Sequence, residues 1–416
     1  MSQRLLIICP QFAPTNAADS HRVRICAEGL INQGWQLDLI ACRPEDLPIN
    51  QSPLLCETLP AALRIHHVPC QANWLGRLVG SETTGRNALR FVRDAGDRLL
   101  AKTTFDGVFF STTAFGLLPL AVRWKEKFNV PFVIDLQDPW LQTLPAGVPP
   151  PGGRLRFSLA MSQAKKWEPK VMQNASGIVS VSPAYGDQLR SRYPGLGKIP
   201  FLTLPFGASA KDISLARSDQ VSQSIFDANS AHKHLVHVGR GGEDLLPSLR
   251  PLLKALSSTA SALLHLVGTS YAPENRQKKT LMPLAEELGL ANQVKEYPNR
   301  IDYFQAIRCL TDSAGIIVLT SADPAYNASK IHNCLLAGPP VLALVHPNSV
   351  AQSQWRHLAP HLTLVDCLNA DAMDQITQWL EQLSTPTTPI VNYPFEAVVQ
   401  SKTLGDFLSQ VLLPSG

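Results

Sequence analysis

The stretch that decides the fold runs from Tyr326 to Val345 and reads YNASKIHNCLLAGPPVLALV. Ser329 is suited to be a helix N-cap, and apolar residues follow it at helical spacing. Gly338 and the two prolines after it end the helix, and the apolar run Val341–Val345 predicts a buried parallel strand. The start of such a helix lies at the carboxyl edge of a sheet, where its N–H groups and Lys330 would meet an anion such as phosphate. The stretch therefore predicts a ligand site.

Short apolar runs and helical segments alternate on both sides of this stretch. Near the N-terminus, the strand Leu5–Cys9, a helix that starts at Asp19 or Ser20, and the strand Leu37–Ala41 form a βαβ unit. A polar connection then interrupts the pattern, and the alternation restarts at Leu235. We predict an α/β chain of the GT-B type of architecture, with two Rossmann-like, doubly wound domains and a cleft between them.

The predicted boundaries follow from these changes in pattern. The first domain covers 1–207, a linker covers 208–231, and the second domain covers 232–392. A last helix at 393–416 follows a proline-rich joint, and we expect it to pack back on the first domain.

The amino-acid composition limits the classes of function that this chain can have. A chain of 416 residues is too long for one ordinary core, which agrees with two domains. Hydrophobic residues at 45% and charged residues at 17% are typical of a well-buried globular enzyme. The net charge of +4 is too small for a nucleic-acid-binding protein, so no nucleic-acid partner is expected. It is compatible with acidic ligands or an anionic membrane surface.

The cysteines indicate the compartment. The sequence has eight of them, with no Cys-x-x-Cys and no metal-ligand spacing, so they are interpreted as reduced core residues and no metal site is predicted. The N-terminal apolar run is far shorter than a signal sequence or a membrane span. We expect a cytoplasmic protein, with peripheral contact at the inner face of the membrane left open.

That open question concerns a basic amphipathic helix predicted at Arg154–Asn174. Leucines, a methionine and a tryptophan are expected on one side, and five arginines and lysines decorate the helix. Such a helix can lie on a membrane. A solvated face on a helix packed against its own domain is the interpretation favoured here.

The first loop lacks the Gly-x-Gly-x-x-Gly pattern that holds a dinucleotide pyrophosphate, which counts against a nicotinamide or flavin cofactor. Several segments of the chain, in their order and spacing, resemble the family 4-like GT-B glycosyltransferases, which are retaining and use nucleotide-sugars. These segments are PQFAPTNAADSHRVRICAEGLINQGWQLDLI from residue 10, VIDLQDPW from 133, IVSVSPAYGDQL from 178, LPFG from 204, VGRGG from 238, LHLVGTS from 264 and SKIHNCLLAGPPVLAL from 329.

The resemblance implies that the second domain binds the donor and the first binds the acceptor. It implies no cofactor besides the donor substrate and no metal, and the sequence contains no Asp-x-Asp. Arg240 and Lys330 would hold the diphosphate and stabilise its departure. The donor-binding set implied is Gly239, Arg240, Gly241, Gly268, Ser329, Lys330 and Asn333.

On the acceptor side, the resemblance points to His21, Arg22 and Asp138. Asp138 would orient an acceptor hydroxyl and is therefore included with the catalytic residues; it is equally suited to cap the Pro139-Trp140 turn. His21 is equally suited to be a solvated residue at the start of a helix.

The chain departs from the family pattern at three places. Two glutamates usually stand eight positions apart around the key helix, and here Ala325 and Asn333 replace them. The lysine expected after the arginine of the glycine loop is absent, since Glu243-Asp244-Leu245 occupies that place, and Asn16-Ala17-Ala18 replaces a glycine pair. An amide in place of a carboxylate at the ribose loses about 1.5–3 kcal/mol, so donor binding is expected to weaken without being abolished.

Three functions remain open. The leading hypothesis is a transferase that moves a sugar to a glycan, a lipid-linked or a small acceptor. The alternative is a catalytically degenerate GT-B protein that binds a nucleotide, a glycan or a partner enzyme. A nucleotide-sugar epimerase or a phosphorylase is less favoured, because the carboxylate set of the first is missing and the chain is short for the second.

Overall fold

The structure is a computed structural model that describes residues 3–71, 83–142, 150, 153–272, 276–322, 330–349, 351–358, 362–384 and 393–413. The chain divides into two compact domains, and the first consists of Met1–Gly207 together with Ala397–Gly416. The second consists of Ala208–Glu396. Each domain is built on one parallel sheet with helices between its strands, which confirms the predicted pair of Rossmann-like domains.

Within its described residues, the first domain has a seven-stranded parallel sheet in the order β3-β2-β1-β4-β5-β6-β7. The strands are β1 (Gln3–Ile8), β2 (Trp35–Cys42), β3 (Arg64–Val68), β4 (Gly107–Ser111), β5 (Phe132–Leu136), β6 (Gly177–Ser180) and β7 (Phe201–Thr203). The helices are α1 (Ala18–Asn32), α2 (Thr84–Lys102), α3 (Pro119–Phe128), α4 (Arg154–Asn174), α5 (Pro183–Arg192) and the C-terminal α13 (Ala397–Leu412).

The central strands of this sheet are buried on both faces. Every residue of β4 and β5 is buried, as expected for parallel strands covered by helices on each side. The last helix, α13, packs against α1, where the amide of Gln33 donates to the carbonyl of Ser401 at 3.0 Å. The first domain therefore takes its helices from both ends of the chain.

The second domain has, in its described part, a six-stranded parallel sheet in the order β10-β9-β8-β11-β12-β13. The strands are β8 (Lys233–Val238), β9 (Ala262–Val267), β10 (Val294–Tyr297), β11 (Gly315–Leu319), β12 (Val341–Val345) and β13 (Leu362–Asp366). The helices are α6 (Ala210–Arg217), α7 (Leu246–Leu256), α8 (Met282–Glu287), α9 (Tyr303–Asp312), α10 (Ile331–Ala337), α11 (Ala351–Gln354) and α12 (Ala372–Glu381).

The predicted linker at 208–231 is corrected by α6. Its N-cap, Ser209, accepts a hydrogen bond from the amide of Asp212 at 3.4 Å, and the hydroxyl of Tyr303 in α9 donates to the Asp212 carboxylate at 2.8 Å. Ile213 and Ala216 are buried against the domain. The polar composition of this stretch marks the solvent side of a packed helix, and the stretch belongs to the second domain.

The stretch that decided the fold forms α10 and β12 as predicted. Gly338 ends the helix with φ 106°, a conformation that a residue with a side chain rarely adopts, and the Arg217 guanidinium donates to the carbonyl of Ala337 at 2.7 Å. The predicted N-cap, Ser329, and Ala325 lie outside the described residues. Lys330 occupies the N-cap position and makes no capping hydrogen bond with its side chain.

Candidate functional site

The candidate site lies at the carboxyl edge of the second sheet. Strands β9 and β10 lie on one side of β8, whereas β11, β12 and β13 lie on the other. The loops after β8 and β11 therefore leave the sheet in opposite directions, which opens a crevice at this switch point. The loop 239–242 follows β8, and the start of α10 follows β11.

Arg240 lies in the loop after β8, and its guanidinium is paired with Asp244. Its two terminal nitrogens donate to the two carboxylate oxygens at 2.9 and 2.6 Å. This hydrogen bonding lowers the pKa of Asp244, so the carboxylate stays charged. A Cβ at Gly242 would lie 2.5 Å from the Asp244 oxygen, so this glycine leaves the space in which the pair forms. A phosphate at Arg240 would have to share the guanidinium with Asp244.

The backbone amides of three predicted donor-binding glycines are already used. The N–H groups of Gly239, Gly241 and Gly268 donate to the carbonyls of Val267, Thr269 and Tyr297 at 3.0, 2.7 and 2.8 Å. The ladder between neighbouring strands thus continues into the loops. These amides therefore do not form the phosphate-binding loop that the glycines suggested. Recognition of an anion at this edge would depend on side chains.

Lys330 stands at the start of α10 and is accessible to solvent. Protein nevertheless surrounds its ammonium closely enough to lower its pKa to about 8, and the charge of Arg300 acts in the same direction. Among the described residues, no carboxylate forms an ion pair with Lys330. An anion bound here would relieve the repulsion between the two cations.

His237 is a buried histidine on which the charges of both predicted cationic residues act. Burial, assisted by the charges of Lys330 and Arg240, lowers its pKa to about 4. Its ring nitrogens lie 3.1 Å from the carbonyl oxygen of Ile317 and 3.3 Å from that of Arg240. The charges of Arg240 and Lys330 therefore both act on one neutral, buried imidazole at this edge of the second sheet.

Asn333 follows one turn after Lys330 in α10. Its side-chain oxygen is buried and has no hydrogen-bond partner among the described residues. Buried polar atoms are nearly always satisfied, so an unsatisfied acceptor at a crevice indicates a ligand donor such as a hydroxyl. The ribose contact predicted for Asn333 stays a prediction.

Two groups at this edge were not predicted from the sequence. The guanidinium of Arg300 lies 4.9 Å from the ring centre of Tyr271, whose side chain is exposed. Glu296, buried in β10, accepts hydrogen bonds from the hydroxyl of Thr269 and from the backbone amides of 280, 281 and 282, at distances from 2.7 to 3.1 Å. Glu296 fixes the loop that carries Tyr271. The sequence signal that could have identified Glu296 is its inward-facing position in a strand whose side chains alternate between the two faces.

The first domain has its own polar edge, where Arg22 differs from its predicted role. Arg22 is buried in α1, and its Nε lies 2.8 Å from the carboxylate of Asp135 in β5. That carboxylate also accepts from the Ser111 hydroxyl and the Gln137 amide at 2.8 and 2.7 Å. The guanidinium also donates to the carbonyl of Leu204. Arg22 thus connects the helix to the sheet, and direct contact with an acceptor would require this pair to open.

The other two acceptor-side predictions lie nearer to solvent. Asp138 is exposed just after β5, and partial desolvation raises its pKa; its charge in turn helps to raise the pKa of Tyr185. His21 lies in the first turn of α1, with its ring nitrogens 3.1 Å from the oxygen of Asn16 and 3.2 Å from a nitrogen of Arg24. Asp138 is therefore placed to meet a ligand, and His21 is bound into the helix start.

Asp19 was interpreted from the sequence only as a helix cap. The structure buries its carboxyl, and desolvation raises its pKa to about 6 against the opposing effect of hydrogen bonds from Thr112 and Thr113. The carboxylate oxygen lies 3.3 Å from the Thr112 hydroxyl and 3.3 Å from the Thr113 amide. Such a burial cannot be recognised from one sequence, because caps of the same composition are usually exposed.

No group of three or more histidine, cysteine, aspartate or glutamate side chains in the described ranges is arranged to hold a metal ion. No helix in the same ranges combines the length and apolar content needed to cross a bilayer.

Both the sequence and the fold of this chain resemble those of known proteins. Residues 20–203 match the family model of the glycosyl transferase 4-like domain. This match spans most of the first domain. No curated protein matches the chain.

Solved structures extend the likeness beyond the glycosyl transferase 4-like domain to the whole fold. Sucrose-phosphate synthase from Thermosynechococcus elongatus aligns at 16% identity with a TM-score of 0.58, covering 99% of this chain and 95% of that one. HepE from Anabaena, in complex with UDP and glucose, aligns at 16% identity with a TM-score of 0.53 over the same shares. A glycosyltransferase from Rickettsia africae aligns at 15% identity, with a TM-score of 0.56 and coverage of 100% of both chains. The fold is GT-B, as in these solved structures.

Proposed function

We propose that this chain is a retaining, metal-independent glycosyltransferase, which moves a sugar from a nucleotide diphosphate sugar to a glycan, a lipid-linked or a small acceptor. The observation that carries the proposal is the group of cations at the switch point of the second domain. The charges of Arg240 and Lys330 both act on His237, and the charge of Arg300 acts on Lys330. A diphosphate supplies the negative charge that this group needs.

The side chains account for departure of the leaving group. Negative charge develops on the diphosphate as the glycosidic bond breaks, and a fixed ammonium and guanidinium stabilise it in that state. Asn333 accepts a hydrogen bond from a ribose hydroxyl through its unsatisfied oxygen. On the first domain, Asp138 orients the acceptor hydroxyl. The donor is a substrate, and no further cofactor enters the proposed reaction.

The identity of the donor is supported by the neighbouring structures alone. Those of HepE were determined with UDP and with UDP-glucose. We therefore expect a uridine diphosphate sugar to be the first donor to test, with guanosine and adenosine diphosphates beside it.

The experiment is a calorimetric titration of the wild type and Lys330→Gln with UDP, GDP and ADP, each with and without chelator. Lys330→Gln keeps most of the side-chain volume and removes the charge, and Lys254→Gln, at an exposed lysine of α7, is the matched control. The wild type and the control should bind one diphosphate equally, with or without chelator, and Lys330→Gln should bind it about 10- to 100-fold more weakly. Absence of diphosphate binding by the wild type would overturn the proposal.

One observation favours a second candidate, a degenerate GT-B protein that binds a nucleotide without turnover. The carboxylate expected at the ribose is replaced by Asn333, and Arg240 is partly neutralised by Asp244. Release of sugar from the donor without acceptor separates the two candidates. In the transferase, Asn333→Glu should tighten donor binding through a charged hydrogen bond. In the binding protein, the added negative charge should weaken anion binding or leave it unchanged, and no sugar should be released.

A further inference from the structure

The N-terminal half of α4 is little buried by the rest of the first domain. Its buried residues, Ala164, Glu168, Val171 and Met172, all lie in the second half of the helix. The first half holds two large apolar side chains in water, with Leu155 78% and Leu159 63% exposed. The sequence had favoured packing of these leucines against the domain, and the structure corrects this.

Helical geometry places two lysines on the same side as these leucines. At about 100° per residue, Leu155, Leu159, Lys166 and Lys170 fall within an arc of about 60°. The buried residues lie on the opposite side of the helix. We call these four residues the leucine–lysine face. The leucines occupy its N-terminal end, and the lysines occupy its C-terminal end.

The exposed charge along this helix has a single sign. The sequence contains no aspartate or glutamate from Pro139 to Trp167, while Arg154 and Arg156 add positive charge at the helix start. The next acidic residue, Glu168, is buried and paired with Arg192 at 2.6 Å. The ammonium groups of Lys166 and Lys170 lie 5.6 and 5.5 Å from the Trp167 ring, which provides an aromatic surface between them.

We propose that the leucine–lysine face binds the surface of an anionic lipid bilayer. The leucines enter the boundary between head groups and acyl chains, while the lysines contact lipid phosphates. A bilayer fits better than a protein partner, because two separate leucines on a convex helix offer far less area than the roughly 800 Å² per partner of a specific protein interface. A bilayer needs only apolar depth and opposite charge. This proposal does not depend on the proposed transferase activity.

The test is co-sedimentation of the full chain with vesicles. One set contains phosphatidylcholine alone, and the other contains phosphatidylcholine with phosphatidylglycerol. The wild type should bind the second set and little of the first, and added salt should weaken this binding. Leu155→Ser with Leu159→Ser should reduce the partition coefficient about tenfold or more. Lys166→Gln with Lys170→Gln should reduce it by roughly fivefold for each lysine.

The matched controls are Leu368→Ser, at another exposed leucine, and Lys198→Gln with Lys254→Gln, at two exposed lysines. These should bind vesicles as the wild type does, and circular dichroism should show all variants folded. Equal binding to both vesicle sets, no binding, or equal loss in the controls would overturn the proposal. It would also be overturned if sedimentation equilibrium showed a dimer that Leu155→Ser with Leu159→Ser dissociates, because the face would then join two copies.

Discussion

The carboxyl edges of the two sheets use the same kinds of side chain in opposite ways. In the first domain, Arg22 and Asp135 form an ion pair whose side chains are 1% and 0% exposed. In the second, Arg240 and Asp244 form a pair that is 25% and 47% exposed, and Lys330 adds a charge with no carboxylate partner among the described residues. The pair at the first edge is held away from water, whereas the second edge has an excess of accessible positive charge.

The difference teaches which charges can serve a ligand. A buried pair has lost its hydration, so removing one partner leaves an uncompensated charge and costs stability. An accessible pair in water contributes little and can exchange partners. The fold therefore depends on the first edge, and the anion binding that we propose would depend on the second.

The largest effect expected from this comparison is on stability. Arg22→Ala should lower the free energy of unfolding by about 3–5 kcal/mol, because Asp135 remains buried without its partner. Arg240→Ala should lower it by no more than about 1 kcal/mol. Urea denaturation monitored by circular dichroism measures both. Equal losses for the two variants would contradict the distinction between the edges.

A smaller effect is expected at the second edge, on binding and its pH dependence. Lys330 titrates at about 8, so its ammonium is charged below that pH. Once the terminal phosphate of the ligand is fully ionised, near pH 7, affinity of the wild type for a nucleoside diphosphate should fall as the pH rises through 8. In Lys330→Ala, affinity should be lower by about 1.5–3 kcal/mol at pH 7 and should not show this fall. Calorimetry across this range is the measurement, and a parallel pH profile in the variant would remove Lys330 from the site.

Replacing Asp19 is expected to change stability by a comparable amount. It should raise the free energy of unfolding, whereas replacing Arg22 should lower it. Its folded-state pKa, about 6, lies above the usual 3.8, so the folded form holds the proton to higher pH than the unfolded form. Stability should therefore fall as the pH rises from 3.8 to 6. Asp19→Asn removes the buried charge, and we expect it to raise the free energy of unfolding by about 1–3 kcal/mol at pH 8 and to change it little at pH 4. A loss of stability at pH 8 would show that the ionised form is favoured there.

The smallest effect concerns the exposed pair itself. Asp244→Asn should free the Arg240 guanidinium and tighten diphosphate binding by about 0.5–1 kcal/mol. Glu243→Gln changes the neighbouring charge without touching this pair and serves as the control. The comparison of the two edges would be weakened if both variants changed the affinity equally, because the effect would then come from net charge.

The sequence was sufficient to predict the topology because each βαβ unit has its own local sequence pattern. Apolar runs such as Val341–Val345, ended by glycine and proline, define buried parallel strands before any contact is known. The helix α10 and its end at Gly338 followed from the same signals. The approximate position of Lys330 followed too, since a helix after a parallel strand starts at the carboxyl edge.

Pairing and burial could not be predicted in the same way. The partner of Arg22 is Asp135, more than a hundred residues away, and one sequence holds no signal that joins them. Asp244 is near Arg240 in sequence, yet whether it binds the guanidinium or faces solvent depends on a loop conformation that Gly242 allows. Leu155 and Leu159 fit helical periodicity, which identifies a side of a helix without showing what covers it.

The packing of α13 against α1 has a consequence for biosynthesis. The first domain is discontinuous, since its last helix follows the whole of the second domain in the chain. During synthesis, the second domain is complete on the ribosome while α1 still lacks the helix that covers it. Folding of the first domain therefore ends only when residues 397–412 emerge, and a premature stop near the C-terminus damages the domain that was made first.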